Sequence, residues 1–165
     1  MTQHKIEIRL AQHPQDFLDA TQLILEYVSW LGFDLAFQNF DQEMAGLPDM
    51  YNPRDGGLFL AYLDAKPVGV AGLRKFSATD AEVKRMFVRD EAKGNGLGKL
   101  LLQTCIKTAK TLHYKSIKLD TAEFMKAAIK LYTDHGFVEI PAYRFNPHDH
   151  ARYFELDLTN LNAYT

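Results

Sequence analysis

The sequence predicts one α/β (α+β) domain, a mixed sheet covered by helices, and three observations carry that reading. Strand-like alternation of apolar residues and helix-like recurrence at three and four take turns along the chain. The helical stripes fall between the strand patterns, so the elements interleave instead of gathering into separate halves. No low-complexity tract, internal repeat or Pro/Gly-rich linker divides the 165 residues, which makes 1–165 a single domain.

In chain order, Ile6, Ile8 and Leu10 alternate with Lys5, Glu7 and Arg9, the period of a strand over about 4–10 with one buried face. From Pro14, which suits a first helical turn, Phe17, Leu18, Leu23, Ile24, Tyr27, Val28 and Leu31 recur at helical spacing. Residues 34–57 carry Phe37, Phe40, Pro48, Tyr51, Pro53 and Gly56-Gly57 with little periodicity and read as a short helix and a loop. Leu58–Leu63 and Val68–Phe76 flank Asp64-Ala65-Lys66-Pro67 as a hairpin, and a third strand spans Glu82–Val88. After a glycine cluster, Leu97, Leu101, Cys105, Ala109 and Leu112 form an apolar stripe, with Lys99, Gln103, Lys107 and Lys110 on the wet side. Ser116–Leu119 reads as a short strand, Phe124–Asp134 as a helix with Gly136 just past its end, and Arg152–Leu158 as a final strand.

The composition is that of an ordinary globular domain, 47% apolar and 24% charged. A chain of this size removes roughly 70% of its unfolded surface from water and holds a core without staples. Cys105 has no second cysteine to pair with, and no Cys/His spacing fits a zinc site, so no metal is expected and a reducing, cytoplasmic setting is. Residues 1–9 lack the apolar stretch of a signal peptide. The longest apolar run, Leu58 to Leu63, falls far short of the roughly 20 residues a membrane span needs, so no membrane partner is expected. With 19 Lys+Arg against 21 Asp+Glu, a net charge of −2 disfavours nucleic acid as a partner. His148-Asp149-His150 reads as a polar turn, since two histidines without a further fixed ligand make a poor metal site.

Gly94-Asn95-Gly96-Leu97-Gly98-Lys99 lies between a strand and a helix, where free main-chain N–H groups and the helix dipole favour an anion such as phosphate. It is not a Walker loop, which needs Gly at 93 and Ser or Thr at 100, where Lys93 and Leu100 stand. Nor is it the dinucleotide fingerprint, whose last glycine would fall on Lys99 or Leu101. The competing reading of the three glycines alone is a flexible turn.

The flanks decide between them. The stretch Val83-Lys-Arg-Met-Phe-Val-Arg-Asp-Glu-Ala-Lys-Gly-Asn-Gly-Leu-Gly-Lys-Leu-Leu resembles the acetyl-CoA loop of the GNAT superfamily of N-acetyltransferases. The family's Arg/Gln-x-x-Gly-x-Gly/Ala pattern is matched by Lys93-Gly94-Asn95-Gly96-Leu97-Gly98, with Lys93 replacing the usual Arg or Gln. That exchange keeps a positive charge but loses the planar guanidinium fork. Ala128-Ile-Lys-Leu-Tyr132-Thr-Asp-His-Gly136-Phe137 resembles the family's Ala-x-x-Leu-Tyr-x-x-x-Gly-Phe helix, and Met125 stands where an Asn is common. The resemblance covers about 80–140. It implies a GNAT-like, mostly antiparallel central sheet splayed in the middle, with acetyl-CoA as acyl donor. Met86, Phe87 and Val88 would pair with the pantetheine arm, and Lys93, Gly94, Asn95, Gly96, Leu97, Gly98 and Lys99 would hold the pyrophosphate.

Acetyl transfer from a thioester to an amine needs a neutral amine, a polarised carbonyl and a proton for the departing thiolate. The resemblance implies Tyr132 for the last task; the competing reading is a tyrosine packing a helix face with its hydroxyl wet. Glu82, at the start of the cofactor-side strand and on the alternating face of Met86 and Val88, is the candidate base, against a solvated strand-end glutamate. The carbonyl would be polarised by a main-chain N–H of strand 82–88. Asp34, Asp41, Glu43, Asp49 and Asp55, with Phe33, Phe37, Phe40 and Tyr51, offer a segment that suits an amine, or simply a solvated loop over core aromatics. Arg74, Arg85, Tyr143 and Arg144 offer a clamp for a substrate carboxylate. Cys105 lies on an apolar stripe and reads as a structural thiol. The expected activity is N-acetyl transfer to a primary amine of a small molecule, amino-acid-like compounds among the candidates, by direct attack in a ternary complex. A homodimer is left open. The rival is a non-catalytic acyl-CoA-binding sensor or regulatory module.

Overall fold

The computed structural model describes residues 3–32, 39–146 and 150–159. Phe33, Asp34, Phe37, His148 and Asp149 therefore lie outside the described residues. Strand β1 (Ile6–Leu10) leads into α1 (Pro14–Leu31), whose first turn begins at Pro14, as expected. Two short helices, α2 (Phe40–Ala45) and α3 (Leu47–Met50), follow in place of the one helix and loop expected. The hairpin is β2 (Gly57–Leu63) and β3 (Lys66–Lys75), then β4 (Asp80–Val88) and a 3-10 turn at Asp90–Ala92. The glycine loop opens α4 (Leu97–Thr111), followed by β5 (Ser116–Ala122), α5 (Lys126–Asp134), β6 (Val138–Ile140) and β7 (Ala151–Asp157). Strand β6 has no counterpart in the sequence reading, because three residues are too short to show a period.

The seven strands form one sheet in the order β1-β2-β3-β4-β5-β7-β6, and all neighbours are antiparallel except β4 and β5. Its two faces hold separate cores. Along β2, Leu58, Leu60 and Tyr62 pack with Leu23, Ile24 and Tyr51 on the α1–α3 side, while Phe59 and Ala61 join Leu101, Cys105 and Tyr132 on the α4–α5 side. Of the stripe predicted for α4, Leu97, Leu101, Cys105 and Ala109 are all within 1% of full burial, while Leu112 is the C-cap and only half-buried. Among the described residues, no helix is long and apolar enough to cross a membrane.

Two irregularities part the strands in the middle of the sheet. First, β4 and β5 pair only at Asp80–Glu82 with Ser116–Lys118; beyond that β5 follows β7 and β4 follows β3. The paired end is pinned by Ser116 Oγ donating to Asp80 Oδ1 at 2.8 Å and by Lys118 bridging Asp80 and Glu155. Second, β4 carries a bulge. Val70 faces Phe87 but Gly72 faces Lys84, so two steps on β3 match three on β4, and Arg85 sits at a left-handed φ of 59°. The bulge reverses the alternation. Ala81 and Val83 pack in the α4-side core, which puts Glu82 on the α1–α3 side, whereas Met86 and Val88 are back on the α4 side. Glu82 therefore does not share a face with Met86 and Val88, contrary to the expectation from strict alternation.

Arg85 is kept in place by Glu43, which accepts from Nε at 2.8 Å and from Nη2 at 2.9 Å, while Tyr51 donates its hydroxyl to Glu43 at 3.0 Å. The Arg85 and Glu43 side chains are 4% and 1% exposed, and the Phe40 ring lies 5.4 Å from the guanidinium. Neither Arg85 as a carboxylate clamp nor Glu43 as an amine ligand is thus open to substrate; they neutralise each other and lock α2 and α3 onto β4. Tyr51 needs Gly72 beneath it, since a Cβ there would come within 2.4 Å of the ring. Burial alone would raise the Glu43 pKa, but the hydrogen bonds and charge of Arg85 outweigh it and leave it lowered.

Glu43→Gln strands a buried guanidinium and should cost about 3–5 kcal/mol, read as a lower denaturant midpoint. Because the folded carboxyl has the lowered pKa, the pair stabilises fully above the ordinary carboxylate range and loses that contribution as pH falls through the folded value. Wild type should therefore converge on the variant's stability in acid; a constant gap from neutral pH to acid contradicts this account.

Candidate active site

The glycine loop forms the N-terminus of α4. Gly94 and Gly96 adopt positive φ of 87° and 75°, and Gly96 is the N-cap, so no side chain caps the helix. The first intrahelical bond runs from Leu100 N–H to the Gly96 carbonyl, which leaves the N–H groups of Leu97, Gly98 and Lys99 without intrahelical acceptors. A Cβ on Gly94 or Gly96 would meet no protein atom within 4 Å, so these glycines answer to backbone conformation and outward space, not to internal packing. Gly98 differs, for its Cβ would lie 3.6 Å from Leu131 of α5. The seven loop residues thus offer mostly main chain. Asn95 spends its amide on the Ala92 carbonyl at 2.9 Å, and Leu97 is buried in the core. Lys93 pairs with Asp90 at 2.7 Å, with its Nζ 5.9 Å from the Trp30 ring; Lys99 is exposed.

Among the described residues no strand lies beside the β5-facing edge of β4 beyond Glu82, so Met86, Phe87 and Val88 border the split in the sheet. On the α1–α3 side, Phe87 packs against Tyr27 at 5.6 Å, and Tyr27 reaches Met125 Sδ at 4.0 Å, closing α1 against the start of α5. The exposed rings of Trp30 and Phe124 meet at 6.2 Å above this contact.

Glu82 stands where the split begins and is fully buried. Arg74 Nε donates to Oε1 at 3.1 Å, Tyr143 donates its hydroxyl to Oε2 at 2.6 Å, and Arg144 Nη2 also donates to Oε2. Three of the four residues proposed as a carboxylate clamp therefore converge, and the carboxylate they hold is the protein's own. Burial works to raise the Glu82 pKa; Lys84, Arg144, the Tyr143 hydrogen bond and Arg74 overcome it, and the net shift is downward. A carboxylate so occupied is a weaker base than a free one. Tyr143 is also fixed by edge contacts to Phe76 and Tyr153.

Tyr132 projects from α5 into the core beside Phe137, 5% exposed, so its hydroxyl is not a wet surface group. Burial first, then the charges of Tyr27, Cys105 and Asp120, push its pKa up, which keeps the phenol protonated. Burial likewise pushes the Cys105 thiol up to about 12, in agreement with a structural role. Two members of the site were missed in the sequence. Lys84, two residues from Glu82 on a central strand, is 5% exposed, and burial, only partly offset by Glu82 and Asp120, lowers its pKa to about 8. A lysine on a central strand, two residues from the candidate base, was the available signal. Asp120 of β5 perturbs Tyr27, Lys84, Tyr132, Tyr143 and Arg144 together, and it gave no signal because the strand was expected to end at Leu119. Among the described residues no group of three or more His, Cys, Asp or Glu side chains is arranged to hold a metal.

The acetyltransferase (GNAT) family profile matches residues 23–137. An uncharacterized N-acetyltransferase of Schizosaccharomyces pombe is 33% identical over 96% of this chain and 99% of its own length. The fold matches a GNAT-family acetyltransferase from Staphylococcus aureus with a TM-score of 0.78 at 23% identity, covering 93% of this chain and 99% of that one. It also matches an acetyltransferase from Salmonella typhimurium solved with its cofactor acetyl-CoA, with a TM-score of 0.68 at 16% identity over 93% and 94% of the two chains. The open helix N-terminus, the bulged β4 and its parting from β5 thus sit in a chain that belongs to the GNAT family of acetyltransferases.

Proposed function

We propose that this enzyme moves the acetyl group of acetyl-CoA to the primary amine of a small molecule, by direct attack in a ternary complex. The observation that carries the reading is the uncapped α4 N-terminus opening onto the unpaired edge of β4: an anion site joined to a row of free main-chain groups suits a pyrophosphate followed by an amide-bearing arm. The acetyl-CoA in the Salmonella relative supports it. Main-chain N–H groups of Leu97, Gly98 and Lys99 take the pyrophosphate, and Met86, Phe87 and Val88 pair with the pantetheine. A cytoplasmic setting agrees with a single, buried cysteine.

In the transfer, the amine nitrogen bonds to the thioester carbonyl carbon, the C–S bond breaks, and the sulfur leaves with the bonding pair. Tyr132 donates its proton to that sulfur, and the proton lost by the amine restores the phenol through the site's polar groups. Glu82 is the proposed base, and its three donors require the proton to reach it through a water or through Tyr143. The rival reading, a sensor that binds acyl-CoA without turnover, needs the glycine loop but no buried phenol and no polar cluster beside it.

Three variants separate these roles. Gly96→Val forces a β-branched residue to a φ of 75° and places its side chain over the anion site; acetyl-CoA affinity by calorimetry should fall at least about tenfold, and unchanged affinity in folded protein removes the loop from the cofactor site. Tyr132→Phe keeps the ring, so the Kd for acetyl-CoA should hold while kcat falls roughly 10²- to 10⁴-fold. Full turnover in that variant, at matched melting temperature, means another group protonates the thiolate. Glu82→Gln also strips the counter-charge from Arg74 and Arg144, so its kcat is compared at equal folded fraction beside the acetyl-CoA Kd. A lowered kcat with intact Kd supports the base; wild-type rate and pH profile place the base elsewhere.

A further inference from the structure

Two aromatic rings stand half in water at the split, Trp30 at 51% exposure and Phe124 at 50%. They come from opposite banks. Trp30 lies in the last turn of α1, and α1 is fixed to the far end of β4: Arg89, just past that strand, donates to the Glu26 carboxylate at 2.9 and 2.6 Å, and Tyr27 packs on Phe87 at 5.6 Å. Phe124 lies in the turn between β5 and α5. The two rings meet at 6.2 Å with a tilt of 55°, and Tyr27 stacks on Trp30 at 6.4 Å. Phe87, Tyr27, Trp30 and Phe124 therefore form one run of rings from the edge of β4 to the start of α5. The glycine loop touches the same run, for Lys93 places its Nζ 5.9 Å from the Trp30 ring.

Mutual packing does not account for this placement. A ring pair gains from its own contact wherever it sits, and here half of each surface still faces water. Adjoining exposed apolar surface from two elements, held in place by an ion pair and a buried tyrosine, has the character of a binding surface. What it binds follows from what it joins. At one end is the loop whose open N–H groups suit a pyrophosphate; at the other is Phe87, on the stretch of β4 where, among the described residues, no strand lies alongside. A ligand that reaches from one to the other crosses the rings. In CoA the segment attached to the pyrophosphate is a branched carbon bearing two methyl groups, ahead of the first amide, and such an apolar block suits the face of an indole. The polar cluster around Glu82 lies at the other end of the split, where β4 and β5 still pair, so the rings serve the donor and not the acceptor.

We propose that Trp30 and Phe124 form an aromatic platform for the dimethyl-bearing segment of the acyl donor's pantetheine arm, between the glycine loop and the edge of β4. The platform rests on the acetyl-CoA reading and adds two side chains to a cofactor site otherwise made mostly of main chain.

Trp30 is the one tryptophan of the chain, so its emission, excited apart from the tyrosines, reports on the platform directly. Acetyl-CoA and CoA should cover the indole and lower its quenching constant with acrylamide about twofold or more, whereas the phosphoadenosine diphosphate half of CoA, which lacks the arm, should leave it unchanged. Calorimetry on Trp30→Ala and Phe124→Ala, at melting temperatures matched to wild type, should show the Kd for CoA raised about tenfold, with the Kd for the nucleotide half held within about twofold. Trp30→Phe should recover part of that loss. Both positions are half-exposed, so the truncations spare the core; if Trp30→Ala fails to fold, Phe124→Ala and the quenching of wild type still decide. Unchanged quenching at saturating CoA overturns the platform and leaves the cofactor reading standing. Equal losses of CoA and of its nucleotide half also overturn it, because they set the rings beneath the adenine. No binding of acetyl-CoA by folded wild type overturns the cofactor reading and the platform with it.

Discussion

The feature on which the rest of the site depends is the left-handed residue in β4. Arginine at a φ of 59° is unfavourable on its own, and it persists because its guanidinium is captured by a buried carboxylate that is itself held by Tyr51. The bulge makes β4 bend and twist where it would otherwise continue alongside β5. One local distortion thus opens the sheet, leaves a row of main-chain groups without a strand neighbour, and reassigns the side chains that follow. Before Arg85, Val83 faces α4 while Glu82 and Lys84 face α1–α3; beyond it, Met86 and Val88 fill the α4 side and Phe87 meets Tyr27.

That arrangement also explains how so many charges are tolerated in the middle of a sheet. Glu43 and Arg85 form a closed pair, saturated by each other and by Tyr51, which does structural work alone. Glu82 is different, for its cations come from β3 and from the segment after β6, so the carboxylate joins three parts of the chain at the mouth of the split. Removing Glu82 would leave the Arg74 and Arg144 guanidiniums facing its place without a counter-charge. Lys84, between these two groups, is buried, and that burial, only partly offset by Glu82 and Asp120, makes its ammonium easier to deprotonate than an exposed one.

Much of the fold was legible in the sequence because the elements that carry it are long and regularly patterned. The α4 stripe, the β2–β3 hairpin and α1 from Pro14 all fall where periodicity sets them. What escaped is what period cannot express. Strand β6 is three residues long, α3 four, and the parallel contact of β4 with β5 rests on three residue pairs. The bulge escaped as well, since nothing in Lys84-Arg85-Met86 marks a left-handed arginine; the restraint is Glu43, forty-two residues away. Strict alternation then carried Glu82 to the wrong face.

The candidate site divides along the same line. Its glycine loop offers mostly main chain, and main chain is shaped by glycines, whose positions are visible in any sequence; hence Gly94 and Gly96 could be read directly, and both adopt the positive φ that sets them apart. Its polar cluster is made of side chains from β3, β4 and the segment after β6, brought together by long-range pairing. Arg74, Tyr143 and Arg144 were recognisable as a group by chemistry, but only the folded chain shows that their common partner is Glu82. Asp120 lacked even that hint, because the strand was expected to end at Leu119, whereas β5 continues to Ala122. A split sheet therefore separates what one sequence can reveal from what it conceals: the open helix N-terminus is local and written in glycine, whereas the cluster around Glu82 is a consequence of long-range pairing.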